Sequence, residues 1–210
     1  MTRRQVVLAG AILPALPFGL AACSTDGTSS AYDEAAMRMH QPLLMAPGGT
    51  MPMRELVRYA TLAPSSHNTQ CWKFRVDARA VELRPDLWRR CPTVDPDDHH
   101  VFVSLGCATE NLVQAALANG LHSEVVIGPS PGDALRIELT PTPAVASPLF
   151  EAIPRRQSTR AEFDGKPLPS TELRQLEQAG AGRGVSIRLL ADKPAMEQVL
   201  EFVVAATRNR

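Results

Sequence analysis

Val101-Phe102-Val103-Ser104-Leu105-Gly106-Cys107-Ala108-Thr109-Glu110-Asn111-Leu112-Val113-Gln114-Ala115-Ala116-Leu117-Ala118-Asn119 is the stretch on which the fold turns. Leu105, Ala108, Leu112, Ala115 and Ala116 recur at helical spacing, so residues 101–119 read as the longest helix of the chain. Gly106 and Thr109 flank that stripe, and small residues there are expected to let a second helix or a strand approach closely. Gly120 follows, where a helix commonly ends in left-handed backbone. Burying Val101, Leu105, Leu112 and Leu117 is expected to contribute roughly 1.5–3 kcal/mol each.

Working outward, residues 53–63 predict a second helix, with Leu56, Tyr59, Ala60 and Ala63 on one face and Pro64 ending it. Residues 71–76 alternate and predict a strand, and residues 80–83 predict its hairpin partner across the turn 77–79. Beyond the long helix, 124–127 and 135–139 read as strands and 148–156 as a short helix. Residues 170–179 read as a helix with Ser170 as its cap and Leu173 and Leu176 inward, 185–190 as a strand, and 194–208 as a last helix. The fold class is α+β, an antiparallel or mixed sheet with a long helix packed on it.

The composition is that of a globular protein, 44% hydrophobic and 21% charged over 210 residues. Lys+Arg and Asp+Glu are equal at 22 each, which gives no general attraction to nucleic acid or anionic lipid. Aromatic residues make up only 5%, too few for a base-stacking surface. Of the four cysteines, Cys23, Cys71, Cys91 and Cys107, none lies in a CxxC pair, and Cys107 reads as a small buried hydrophobe.

The ends of the chain read differently from its middle. Arg3-Arg4 precedes an apolar stretch, 6–22, that Pro14, Pro17 and Gly19 interrupt. It is too short and too broken for a comfortable membrane span. The twin arginines suggest the Tat route, and Leu20-Ala21-Ala22-Cys23 resembles a lipobox whose Cys23 is lipidated. Residues 1–23 are therefore read as an export signal, and the expected location is the cell envelope or periplasm, held by a lipid on Cys23. Residues 24–50, rich in Ser, Thr, Gly and Ala, read as a flexible tether. Residues 51–146 and 147–210 are read as two further blocks, the latter incomplete.

Two polar segments carry candidate chemistry. Pro64-Ser65-Ser66-His67-Asn68-Thr69-Gln70 sits between a helix and a strand, and its hydroxyls, amides and backbone N–H groups can offer many donors to one planar ligand. On composition alone the favoured reading is a helix-to-strand turn whose Ser and Asn cap local backbone. Arg155-Arg156-Gln157-Ser158-Thr159-Arg160 brings three guanidinium forks and two hydroxyls together, a cradle for phosphate or else a solvated basic turn. Asp95, Asp97, Asp98, His99 and His100 cluster within six residues but are expected to form a solvated loop rather than a metal site, because neighbours on one extended segment rarely converge. No Ser/His/Asp order, GxGxxG or Walker loop is recognisable.

Taken together, these segments resemble the nitroreductase superfamily. Residues 64–72 are similar to its PSSxNxQPW stretch, 155–160 to its RRSxR stretch, and 104–121 to its central helix, GxxxxNLxxAAxxxGL. The arginine segment comes after the central helix, an order that resembles the Acg-type branch, whose members look like two nitroreductase halves fused in one chain. The resemblance implies bound FMN, with Arg156, Ser158 and Arg160 on the phosphate and ribityl end. Pro64, Ser65, Ser66 and Asn68 would approach the ring, and Gln70 would buttress the loop. It implies a small-molecule electron acceptor, such as a nitro compound or quinone, and a reductant as partners, with no catalytic side chain identified. Cys71 stands where the family has Pro, Gln157 where it has a second Arg, and Phe163 one residue later than the usual aromatic. The expectation is a truncated member, with residues 51–146 as its first half and 147–210 as the start of an incomplete second half. The alternatives are a flavin-sequestering protein without catalysis, or an exported lipoprotein without flavin.

Overall fold

The computed structural model describes residues 26–42, 52–129, 133–182 and 184–208. Residues 1–23, read as an export signal, and Cys23 with them, lie outside the described residues. The chain divides into two compact units, one ending at Ser158 and the other beginning at Thr159. That boundary cuts the arginine segment, twelve residues later than the block boundary read from the sequence between 146 and 147.

The first unit is built on helix α3 (His99–Ala118). Val101, Leu105, Ala108, Leu112, Ala115 and Ala116 are all buried in one core with Leu56, Tyr59 and Ala60 of helix α2 (Met53–Thr61). α2 ends where the apolar stripe does. The N–H groups of Leu62 and Ala63 reach back to Tyr59 O and Ala60 O, both at 3.1 Å, tightening the last turn before Pro64. Asn111 Nδ2 also donates to Tyr59 O at 3.1 Å and so ties the long helix to the last turn of α2.

The other side of α3 packs on a four-stranded sheet, β1 (Trp72–Val76), β2 (Ala80–Pro85), β3 (Leu121–Ile127) and β4 (Leu135–Pro141), in the order β1-β2-β4-β3 with every pairing antiparallel. Val81, Leu83, Ile137 and Leu139 are buried, whereas Arg84, Arg136 and Glu138 are exposed. This is the one-faced alternation of an antiparallel sheet. The α+β expectation holds. Gly120 makes the turn from α3 into β3 with φ +75°, and a Cβ there would meet Thr142 O at 3.0 Å. Helix α4 (Pro148–Ala152) follows, capped by Ser147 Oγ on Phe150 N at 3.1 Å. Phe150 stacks on Tyr59, centroids 5.3 Å apart.

Several expectations need correction. Gly106 is exposed with nothing within 4 Å of where a Cβ would sit, so it is not a close-packing point. Leu117 and Cys107 are half-buried rather than in the core, while Cys71 is fully buried. Within the stretch read as a tether, Asp26–Met39 forms helix α1, and Met39 packs against the core. A polar composition had hidden this helix, because its end is fastened by hydrogen bonds to α2 rather than by an apolar face of its own.

The second unit holds helix α5 (Ser170–Gly180) and helix α6 (Lys193–Arg208). Ser170 does not cap α5; Pro169 stands in the cap position, and its carbonyl accepts from Glu172 N and Leu173 N at 3.0 and 3.1 Å. Leu173 is half-buried but Leu176 is 47% exposed, so it does not point inward. Residues 185–190 form no strand; Val185 makes only an isolated antiparallel bridge with Gly182. A strand needs a partner ladder, and none of the described residues supplies one. Ile187 lies against Gly180 so closely that any Cβ there would collide with it.

Candidate functional site

The loop after α2 is locally strained. His67, Asn68 and Gln70 all have left-handed backbone, with φ of 51°, 54° and 49°. Such conformations in side-chain-bearing residues persist only when neighbours over-determine them, and they cluster at ligand sites. Here the neighbours are identifiable. Ser65 Oγ accepts from Gln70 N at 3.0 Å, Asn68 N donates to Ser65 O at 3.0 Å, and Ser66 N donates to Ser104 Oγ at 3.3 Å. Ser104 Oγ in turn donates to His100 O at 2.6 Å, which anchors the loop on α3. Arg89 Nη1 holds Thr69 O at 3.3 Å from the other side.

Ser65 and Ser66 brace the loop, the capping role that the sequence left open beside ligand contact. Gln70, expected to buttress, does so through its backbone, its N–H on Ser65 Oγ and its carbonyl accepting from Trp72 N at 2.9 Å, and its side chain is exposed. Pro64 is exposed at the start of the loop.

Arg156 meets this loop from the other motif. Its Nη2 donates to Leu62 O at 3.1 Å and its Nη1 to Ser158 Oγ at 3.4 Å. A helix C-terminus carries unpaired carbonyls and partial negative charge, so a guanidinium there is favourable in its own right. Two of five N–H groups are used in this way. Asn68, Gln70 and Arg156 line one cavity of about 340 Å³ with Thr61, Leu62 and Ala63. Its remaining wall is α1 and the residue after it, Tyr32, Ala35, Ala36, Met39 and His40. No carboxylate is among these lining residues. The structure therefore brings together Asn68 and Arg156, with Ser158 bonded to the latter. Ser65, Ser66 and Pro64 are not among the residues that line the cavity, and Arg160 belongs to the second unit, where it is exposed.

The α1 wall escaped the sequence reading. Arg58 makes it possible: Nη1 donates to Met39 O at 2.6 Å and Gln41 O at 3.0 Å, and Nη2 to Pro42 O at 3.3 Å. Glu55 holds the same guanidinium at 2.7 Å. An Arg and a Glu three residues apart on α2 were visible in the sequence, but nothing there showed which carbonyls they would seek.

The Asp/His cluster has a structural task. Asp95 is 4% exposed, and its Oδ2 accepts from His100 N at 2.9 Å and Val101 N at 3.3 Å, pairing the first-turn donors of α3. Its other oxygen lies 3.1 Å from His100 Nδ1. Burial pushes the Asp95 carboxyl upward, but the His100 ring and the two backbone N–H groups together hold it below the usual carboxylate range. Asp98 pairs with Arg90 at 3.1 Å. Thus Asp95 is not part of a solvated loop.

No family model matches the chain. Two Mycobacterium tuberculosis proteins, from different strains and each named "Putative NAD(P)H nitroreductase", are 30% identical to it over 178 residues. The match takes in 81% of this chain and 49% of each relative, so the chain spans about half the length of the curated relatives it matches. The likeness supports a place for this chain in the nitroreductase superfamily, in accord with its helix-on-antiparallel-sheet architecture.

Proposed function

We propose that this chain is an FMN-binding oxidoreductase of nitroreductase type and that the cavity beside Arg156 is where the cofactor is held. The observation that carries the reading is the meeting of the two motifs: Arg156 Nη2 lies 3.1 Å from Leu62 O, and Asn68 and Gln70 line the same cavity. The donor set fits such a group. A guanidinium and two amides, with no carboxylate among the lining residues, suit an anionic ligand with a polar ring. FMN, when bound, supplies transfer of a hydride equivalent from a reductant to an acceptor such as a nitro compound or quinone.

The chain's own residues bind and orient. Arg156 holds the phosphate end with the donors not spent on Leu62 and Ser158. Asn68 offers its amide, and Ser65 and Ser66 keep the strained loop in shape so that its donors are pre-placed. The fused two-half, Acg-type arrangement is part of the same proposal. Export with lipidation at Cys23 completes it, and a Cys23→Ser variant is expected to move from the membrane to the soluble fraction.

The test is to express the full chain with excess FMN and measure retained flavin by absorbance, then bleaching by NADH or NADPH. Yellow protein that bleaches is expected, and Arg156→Ala should retain several-fold less flavin. Yellow protein that no reductant bleaches would favour a sequestering role. Colourless, folded protein would end the flavin reading.

A further inference from the structure

Two helices end at this cavity. The C-terminus of α2 contributes Thr61, Leu62 and Ala63, and that of α1 contributes Met39 and is followed directly by His40. Helix C-termini are negative and would repel an anion. Each is met by an arginine: Arg156 on Leu62 O, and Arg58 on the carbonyls of Met39, Gln41 and Pro42. α1 and its end face the cavity with the small residues Ala35 and Ala36, with Met39, and with Tyr32 and His40.

His40 has a defined hydrogen-bond state. Its Nδ1 is 2.7 Å from Pro154 O, and a carbonyl only accepts, so Nδ1 carries the proton. Nε2 is the nitrogen left for a ligand, and when protonated it donates to a phosphate oxygen. Pro154 lies two residues before Arg156, so the same short segment fixes both the imidazole and the guanidinium. We infer that His40 is a second phosphate-binding residue of the cavity, paired with Arg156, and that α1 is a wall of the site held in place by Arg58. The inference deepens the proposed flavin reading and names the part of the ligand it concerns, a phosphate monoester.

The experiment is carbethoxylation of the full chain by diethyl pyrocarbonate, with the rate at each histidine followed by mass spectrometry. The probes are inorganic phosphate, riboflavin and FMN. Phosphate and FMN are expected to slow modification of His40 several-fold while riboflavin does not. His99, His100 and His122, which do not line the cavity, should react alike throughout. Protection by phosphate without any retained flavin would uphold the anion wall and sink the flavin reading. Retained FMN with His40 reacting at its unprotected rate would overturn this inference and leave the flavin reading standing. No protection by any probe would also overturn it. As a second measurement, His40→Asn, which keeps a donor for Pro154 O, should weaken FMN several-fold more than riboflavin. An unchanged ratio of the two affinities would count against the pairing.

Discussion

The two units use similar sequence patterns to different ends. In the first, α3 buries Val101, Leu105, Leu112 and their small neighbours against a helix and a sheet. In the second, no described residue from Thr159 onward is buried, and α6 presents Met196, Val199, Leu200 and Phe202 at 46–71% exposure. Both helices are apolar at helical spacing. The difference teaches that periodicity forms a helix, whereas only a facing surface turns its stripe into a core.

Hydrogen exchange should break or sharpen this comparison most strongly. Amides of α3, β2 and β4 are expected to exchange only through global unfolding, and those of α5 and α6 through local opening. Equal protection across Ser158 would show that the two units are energetically one. Next in size is Leu112→Ala, at a fully buried position, which should cost about 2–5 kcal/mol in urea denaturation. A cost near zero would mean that the core of the first unit is no better packed than α6.

Asp95→Ala should have a smaller effect, lowering the Tm of the first unit by removing the partner of two first-turn N–H groups of α3. The folded carboxyl is held below its ordinary value, so its contribution is present above about pH 4 and disappears as pH falls through the lowered value. The gap in Tm between Asp95→Ala and the parent should therefore close on acidification. A gap that persists in strong acid would show that the carboxylate charge is not what matters. The smallest effect is expected for Phe202→Ala, 71% exposed, within about 0.5 kcal/mol. A larger loss would reveal a covered α6 face and erase the contrast.

The local devices were legible at the level of residues. The stripe 105/108/112/115/116, Pro64 and Gly120 fixed where helices run and stop, and the antiparallel hairpin followed from alternation around 77–79. The candidate site was legible as two motifs but not as an assignment of tasks. Ser65 Oγ is taken up by Gln70 N inside the strained loop, a partner that the sequence did not mark. The strand expected at 185–190 did not form, since alternation is a pattern that only a neighbouring strand can satisfy.

The sequence alone determined what backbone sterics and side-chain spacing can impose over a few turns: the helices, their ends, the hairpin, and the two donor-rich segments. The tertiary structure decided what depends on partners distant along the chain. It set Asp95 against the start of α3, Arg58 against the end of α1, and Arg156 against Leu62 O. The reason is physical. A polar group carries no mark of the partner it will meet, and a hydrogen bond acts over about 3 Å, so its partner is known only once the chain has packed.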